Sequence, residues 1–201
     1  MVVGGINFSP SSDSGAPDVQ VQLSAEQPLI LNGNVRDSDM RRVLAYVVEN
    51  GERFDAGVRL DCLEALKTAS RDQQVRRALI TAARKDQNAA VRMKALESLR
   101  DAASDDDVRQ ALLDALEHDA NPGVRVEAVN VLVGSLQRPE TPALAPEAAS
   151  SPTVSPVRPE EDPSVEHVIR ALQQLQRRDP SRYVRLRSAA ALRQIGPREV
   201  Q

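Results

Sequence analysis

DQNAAVRMKALESL, residues 86–99, opens with an acid, passes through Val-Arg and ends in a Leu-rich helical pattern. Nearly the same phrase returns as DANPGVRVEAVNVL at 119–132, as DPSRYVRLRSAAAL at 179–192 and, more loosely, as RFDAGVRLDCLEAL at 53–66. Aligned on the Val-Arg pair, the copies place Val58, Val91, Val124 and Val184 at spacings of 33, 33 and 60 residues. A fixed period in this range is the signature of a solenoid, whose units stack because none buries its apolar side alone. The longer spacing is one period plus an insertion. Residues 137–161 are rich in Pro, Ala and Ser, a composition that neither packs nor continues a helix, and are expected to form a mobile loop within the array.

Each unit carries two independent helix-start signals. Asp37, Asp72, Asp105 and Asp162 each stand three residues before an apolar position, at Met40, Val75, Val108 and Val165. Asp55, Asn88, Asn121 and Ser181 each stand three residues before the Val of the Val-Arg pair. These residue types accept hydrogen bonds from the unpaired N–H groups of a first helical turn, and the aspartates also oppose the helix dipole. Pro163 and Pro122 directly follow Asp162 and Asn121, the position where a missing N–H costs least. The units are therefore expected to be helix pairs.

In the second helix of each pair the Val is followed at +4 by Cys62, Ala95, Ala128 and Ser188, and at +8 by Leu66, Leu99, Leu132 and Leu192. This spacing makes one apolar stripe, and the small residues at +4 let helices approach closely. Cys62 belongs to that column and is expected to be a packing residue. An arginine recurs directly after every Val, at Arg59, Arg92, Arg125 and Arg185. Asp86, Asp119 and Asp179 precede three of these by six residues, across the turn joining the two helices. Stacked units would interleave these groups into a ladder of charge-assisted, bidentate hydrogen bonds. Position 53, where the first unit should have its Asp, is Arg, so the ladder should fail there.

Composition agrees with a helical array and narrows function. The aromatic content is 2% with no Trp, so the core must be Leu, Val and Ala. The net charge of -3 gives no global attraction to nucleic acid or anionic membranes. The chain from 163 onward is locally basic, with Arg170, Arg177, Arg178, Arg182, Arg185, Arg187, Arg193 and Arg198 against Glu166, Asp179 and Glu199. A single cysteine forms no internal disulfide, and with His118 and His167 far apart it makes no structural zinc site. Apolar runs such as VLAYVV at 43–48 fall far short of the roughly 18 residues that span a bilayer. The opening MVVGGINFSP lacks the features of a secretory signal, and a start inside a longer gene is a further expectation. No phosphate-binding loop, nucleophile elbow or paired catalytic carboxylates stand out, so no catalytic, cofactor or metal residues are assigned.

The N-terminal segment breaks the helical period. Val19, Val21 and Leu23 alternate with polar residues, and Leu29, Ile30 and Leu31 precede Asn32-Gly33, which reads as a turn. Residues 1–17 are expected to be disordered. Residues 18–35 are expected to be an extended or hairpin cap on the first helix pair, so that deleting 1–35 lowers the melting temperature. Residues 36–136 hold repeats one to three, and 162–201 the fourth. The fold class is thus all-α, an α-solenoid of about four antiparallel helix pairs with a short extended or hairpin N-terminal segment.

These columns resemble HEAT repeats, and in particular the short bacterial HEAT-like repeats first associated with phycobilisome lyases, whose units resemble D-x-N-x-x-V-R-x-x-A-L-x-x-L. The resemblance covers 37–136 and 162–196. NPGVRVEAVNVL and YVRLRSAAALRQIG also resemble the HEAT region that follows a zinc finger and a membrane segment in some bacterial anti-sigma-factor-like proteins. Neither of those elements occurs in these residues. The deoxyhypusine hydroxylases resemble this fold but bind iron through repeated His-Glu pairs; here His118 and His167 lie in EHDA and EHVI, and both are expected to be helix-surface residues. HEAT-like DNA glycosylases stack Trp and Tyr near a lesion, and with no Trp available a nucleic-acid partner is not expected.

The resemblance implies that the second helices line the concave side of the array. Positions three and six after each Val face away from the apolar stripe: Asp61 and Glu64, Lys94 and Glu97, Glu127 and Asn130, Arg187 and Ala190. That surface would be acidic over three units and basic at the fourth. The leading expectation is a non-enzymatic scaffold with a regulatory use, cytoplasmic, holding a protein segment such as a basic helix on this face. Charge reversal at Asp61, Glu64, Glu97 and Glu127 together would release the partner. The alternatives are the soluble signal-sensing region of a membrane-anchored anti-sigma-factor-like regulator, and a lyase or nucleic-acid-binding HEAT-like protein.

Overall fold

The computed structural model describes residues 2–9, 18–24, 29–137 and 163–196. Three strands, β1 (Val2–Ser9), β2 (Asp18–Ser24) and β3 (Leu29–Asn34), precede eight helices among these residues. The helices are α1 (Ser38–Glu49), α2 (Ala56–Leu66), α3 (Gln73–Lys85), α4 (Ala89–Ser98), α5 (Asp106–His118), α6 (Pro122–Gln137), α7 (Pro163–Arg178) and α8 (Arg182–Ile195). Short 3-10 turns at Lys67–Ala69 and Arg100–Ala102 lead out of α2 and α4. Each odd-numbered helix packs on the even-numbered helix that follows it. The first helices then stack as α1, α3, α5, α7 and the second as α2, α4, α6, α8, giving a two-layer array. The fourth pair joins the third through both layers, α5 to α7 and α6 to α8, despite the insertion between them. The expected mobile loop falls almost wholly on residues 138–162, outside the described residues.

The helix starts follow the two signal columns. Asp72 accepts from the N–H groups of Gln74 and Val75, and Asp105 from those of Asp107 and Val108. In the second helices Asp55 accepts from Gly57, Asn88 from Ala90, Asn121 from Gly123 and Ser181 from Val184. Asp37 departs from its column. It occupies the N-cap position of α1 but makes no side-chain cap bond. Its Oδ2 instead accepts from the Asn34 N–H at 3.0 Å, because α1 follows directly on β3 and the tight turn between them takes the carboxylate. Asp162 lies outside the described residues.

The core is continuous from sheet to last helix pair and is made almost wholly of aliphatic side chains. Leu63, Leu66, Leu96, Leu99, Leu112, Leu116 and Leu132 are fully buried, each worth about 1.5–3 kcal/mol relative to exposure. The small-residue column Cys62, Ala95, Ala128 and Ser188 has no exposed surface at all, as close helix contact requires. Ser188 Oγ is buried there without a hydrogen-bond partner among the described residues.

The N-terminal segment is more ordered than its sequence suggests. Residues 2–9, expected to be disordered, form β1, which pairs antiparallel with β2 from Val2↔Ser24 to Ser9↔Asp18 around an irregularity between Val3 and Gly5. Residues 10–17 lie outside the described set. The alternation holds in β2: Val19 and Val21 are buried, while Gln20 bonds Asn7 on one side and Asn32 on the other across the opposite face. Asn32-Gly33 is not the hairpin turn. Both residues lie within β3, opposite Gln20 and Val19, and the β2–β3 connection falls at 25–28. Gly33 lies against α1: a Cβ there would sit 2.9 Å from the terminal Cε of Met40, a contact that the methionine tip would have to shift to relieve. Ile6, Val19, Val21 and Val35 join the core of the first helix pair, and β1 lies against α2.

Candidate functional site

Two surfaces matter: the turns between the helices of each pair, and the outward face of the second helices. At the turns, Arg59 Nε and Nη2 donate to Asp86 Oδ2 and Oδ1 at 2.8 and 2.9 Å. Arg92 holds Asp119 the same way at 2.7 and 2.8 Å, and Arg125 holds Asp179 at 2.8 and 2.9 Å. Each arginine thus grips the aspartate of the following unit in a two-bond fork. The remaining Nη1 faces its own turn: in Arg92 it donates to the carbonyls of Asp86 and Gln87, in Arg125 to those of Asp119 and Ala120, and in Arg185 to those of Asp179 and Pro180. Arg59 uses the Gly51 and Phe54 carbonyls instead. Each aspartate also accepts the N–H two residues on, at Asn88, Asn121 and Ser181. The rungs are buried, with side-chain exposures of 7% and 3% for Arg59 and Asp86 and of 8% and 2% for Arg125 and Asp179.

The ladder therefore has three rungs, and its far end needs correction. The first rung is Arg59–Asp86, and position 53, where the ladder was expected to fail, carries no rung among the described residues; Arg53 Nη1 donates to the Tyr46 hydroxyl. Arg185, placed in the ladder from sequence, has its Nη1 in register but meets no carboxylate among the described residues.

A second ladder escaped the sequence reading. Arg41 reaches the N-cap aspartate of the next unit, Asp72, at 3.1 Å, and Arg76 reaches Asp105 at 3.3 Å. The signal was an arginine four residues after the cap aspartate, at Arg41, Arg76 and Arg109, a column masked by Glu166 in the fourth unit. The cap aspartates thus do two jobs. Burial pushes the Asp72 carboxyl up, but the Val75 and Gln74 N–H groups and Arg41 outweigh it and leave the pKa below the usual carboxylate value. Asp119 behaves alike: burial raises it, while the Arg92 fork, the Asn121 N–H and the charges of Arg92 and Arg125 bring it below the ordinary value.

The second-helix face gathers the residues expected to bind a partner into one strip. Lys67 Nζ donates to Glu97 at 2.9 Å, and Lys94 bonds both Glu64 of the preceding unit and Glu97 of its own. Arg100 reaches Glu127 at 3.0 Å, Asn130 donates to Glu127, and Arg187 Nε donates to the Asn130 carbonyl oxygen at 2.6 Å. The strip runs from α2 to α8, and every link but two, Lys94 to Glu97 and Asn130 to Glu127, crosses from one unit to the next. The acids are present where expected, but Lys67, Lys94 and Arg100 balance those of the middle units. Lys67 first, then Lys94, holds the Glu97 carboxyl below its ordinary range. Asp61 and Glu64 at the first unit are exposed, leaving an acidic end; Arg187, half-buried, marks a basic one.

The other reactive residues are accounted for by packing or surface position. Cys62 is fully buried, and burial reinforced by the Asp61 charge pushes its thiol pKa well up, away from a reactive thiolate. His167 Nε2 lies 3.6 Å from Glu117 on the α5–α7 surface. Among the described residues no three His, Cys, Asp or Glu side chains are arranged to hold a metal ion, and no helix is long and apolar enough to cross a membrane.

The family model for HEAT repeats matches the chain twice, over residues 52–133 and 76–158. Together the matches span residues 52–158, more than half of the 201 residues. No curated protein and no solved structure matches the chain. HEAT repeats are generally scaffolds for protein interaction, a role the stacked pairs and their cross-bonded outer face suit. By its repeats, its helix-pair stacking and its match to the family model, the chain belongs to the HEAT-repeat family.

Proposed function

We propose that the protein is a non-enzymatic scaffold that holds an extended segment of a protein partner along the second-helix face. The observation that supports this reading is the strip from Asp61 and Glu64 through Lys94, Glu97, Glu127 and Asn130 to Arg187. Its charges are held in place by one another, and its two ends differ in sign. Pre-positioned side chains lose little rotamer freedom on binding, and opposed end charges orient a partner. The segment that fits places basic residues over Asp61 and Glu64 and acidic residues near Arg187.

The test separates binding from folding. Glu64, Glu97 and Glu127 bond neighbouring units, so their reversal perturbs the array as well as the surface. Asp61→Lys changes an exposed position at the acidic end. The expected outcome is loss of the partner that co-purifies from the native host, with helix content and melting temperature close to the parent's. Retention of the partner by this variant and by Arg187→Glu removes the face from consideration.

A further inference from the structure

The second-helix strip is electrically closed along its middle and open toward its two ends. Lys94 bonds Glu64 and Glu97, Glu97 also takes Lys67, and Glu127 takes Arg100. Asp61 is exposed and, among the described residues, pairs with no cation. Arg187 is half-buried, yet its sole bond among the described residues runs from Nε to the neutral Asn130 Oδ1, at 2.6 Å. Asn130 in turn donates to Glu127 at 3.1 Å, so the amide orients the guanidinium without cancelling its charge. The donors on Nη1 and Nη2 of Arg187 meet no acceptor among the described residues. The turn ladder is wired the other way: there Nε and Nη2 fork to a carboxylate and Nη1 takes carbonyls.

The column of Arg187, three residues after each Val, never bonds a following unit. Lys94 bonds Glu64 of the preceding unit and Glu97 of its own, Glu127 bonds Arg100 of the preceding unit and Asn130 of its own, and Arg187 bonds Asn130 of the preceding unit. The open donors of Arg187 are therefore not ones that stacking uses; they are left for a ligand on the strip. The strip also fixes a length. α2, α4, α6 and α8 pack in succession, and helices in contact lie about 8–10 Å apart, which sets Asp61 about 25–30 Å from Arg187. A chain extended at about 3.1–3.4 Å per residue covers that in about eight to ten residues, whereas a helix at about 1.5 Å per residue needs about 17–20.

We infer that Arg187, positioned by Asn130, is a carboxylate seat, and that the strip takes an extended segment with an acidic side chain on Arg187 and a basic one on Asp61, about eight to ten residues apart. Between them the segment is uncharged, because the acids and bases of the middle units already satisfy one another and a charge laid over them gains no counterion. A carboxylate can engage both Nη groups at once, a charge-assisted pair stronger than the exposed links of the strip. The segment so described is the partner of the scaffold face proposed above, and it presupposes that reading.

The probes are capped peptides with one Lys and one Glu separated by roughly four, nine or eighteen prolines, stiff rulers at about 3.1 Å per residue. Each is titrated into the isotope-labelled full chain and followed by NMR. The middle length should bind best, with saturable shifts at Asp61, Asn130 and the Arg187 side chain. The shorter and longer rulers should bind about tenfold more weakly, because they engage one end at a time. Glu→Gln in the middle ruler, or Arg187→Gln in the chain, should cost about tenfold, the scale of one charge-assisted pair. Arg193→Gln, which removes an exposed arginine of the same helix, should change little. Arg187→Glu should regain binding with a middle ruler that carries Lys at both ends, a recovery that a misfolded variant does not give. No saturable binding, equal affinity at all lengths, a failed charge swap or an Arg193→Gln loss equal to that of Arg187→Gln overturns the seat and its spacing. Those results leave the scaffold reading standing if Asp61→Lys still loses the native partner; retention of that partner by Asp61→Lys and by Arg187→Glu overturns both.

Discussion

The Arg–Asp rungs at the turns and the Lys–Glu links on the second-helix face use the same pairing of opposite charges between neighbouring units, yet they do different work. The Arg125–Asp179 rung is nearly sealed from water, bidentate, and completed by backbone donors and acceptors on both sides. The Lys67–Glu97 link joins side chains 42% and 35% exposed through one ammonium. An ion pair taken out of water recovers its desolvation cost only with full hydrogen bonding, so the buried rung tolerates no vacancy. The exposed link competes with water and salt throughout, and its geometry is replaceable. Register is therefore set at the turns, while the face remains available for a partner.

The sharpest way to break this contrast is to leave one buried member alone. Asp179→Ala strands Arg125 in the interface between the third and fourth units and should lower stability by about 3–5 kcal/mol, read as a shift of the chemical denaturation midpoint. If the rung mainly fixes alignment, replacing both partners, Arg125→Met with Asp179→Leu, should recover most of that loss. A double variant as unstable as the single one would show that the charges themselves hold the units together.

The cap ladder falls between the extremes and sharpens the comparison. Asp72→Ala removes two first-turn hydrogen bonds of α3 and the contact with Arg41, and an effect of about 1–2 kcal/mol is expected. Asp72 and Asp119 both have pKa values lowered by folding. A carboxyl depressed in the folded state contributes stability that is complete above its unfolded value and is lost as pH falls through the folded one. Acid titration of the parent should show that loss below the ordinary carboxylate range. Asp119→Asn should flatten the acid limb of the stability curve; an unchanged limb would mean that other groups govern acid unfolding.

Much of this was legible because the chain states its pattern four times. One Val-Arg or one cap aspartate would mean little, but columns such as Asp55, Asn88, Asn121 and Ser181 fix helix starts by repetition, and all four accept the first-turn bond. Legibility failed where a residue is unique. Gly33 looked like a turn because Asn-Gly is a local signal, whereas its place inside β3, opposite Val19 and beside Met40 of α1, comes from strand pairing and packing. β1 contains no repeat and little alternation, and its order comes from pairing with β2. On the second-helix face the acids were visible, but their neutralisation was not: Lys67 and Arg100 lie in the exits from the helices, outside the columns read for that face, and reach it only through stacking.

That face gives the smallest expected effect and the most direct check on the division of labour. Glu97→Gln removes a charge that both Lys67 and Lys94 use, yet all three side chains keep access to water. The loss in stability should stay under about 1 kcal/mol and shrink further at an ionic strength of about 1 M, where the screening length is about 3 Å. The same salt should leave the penalty of Asp179→Ala nearly intact, because water and ions do not reach Arg125. Equal salt sensitivity in the two variants would mean that the turns and the face share one electrostatic environment, and that the register of the array is held as loosely as its surface.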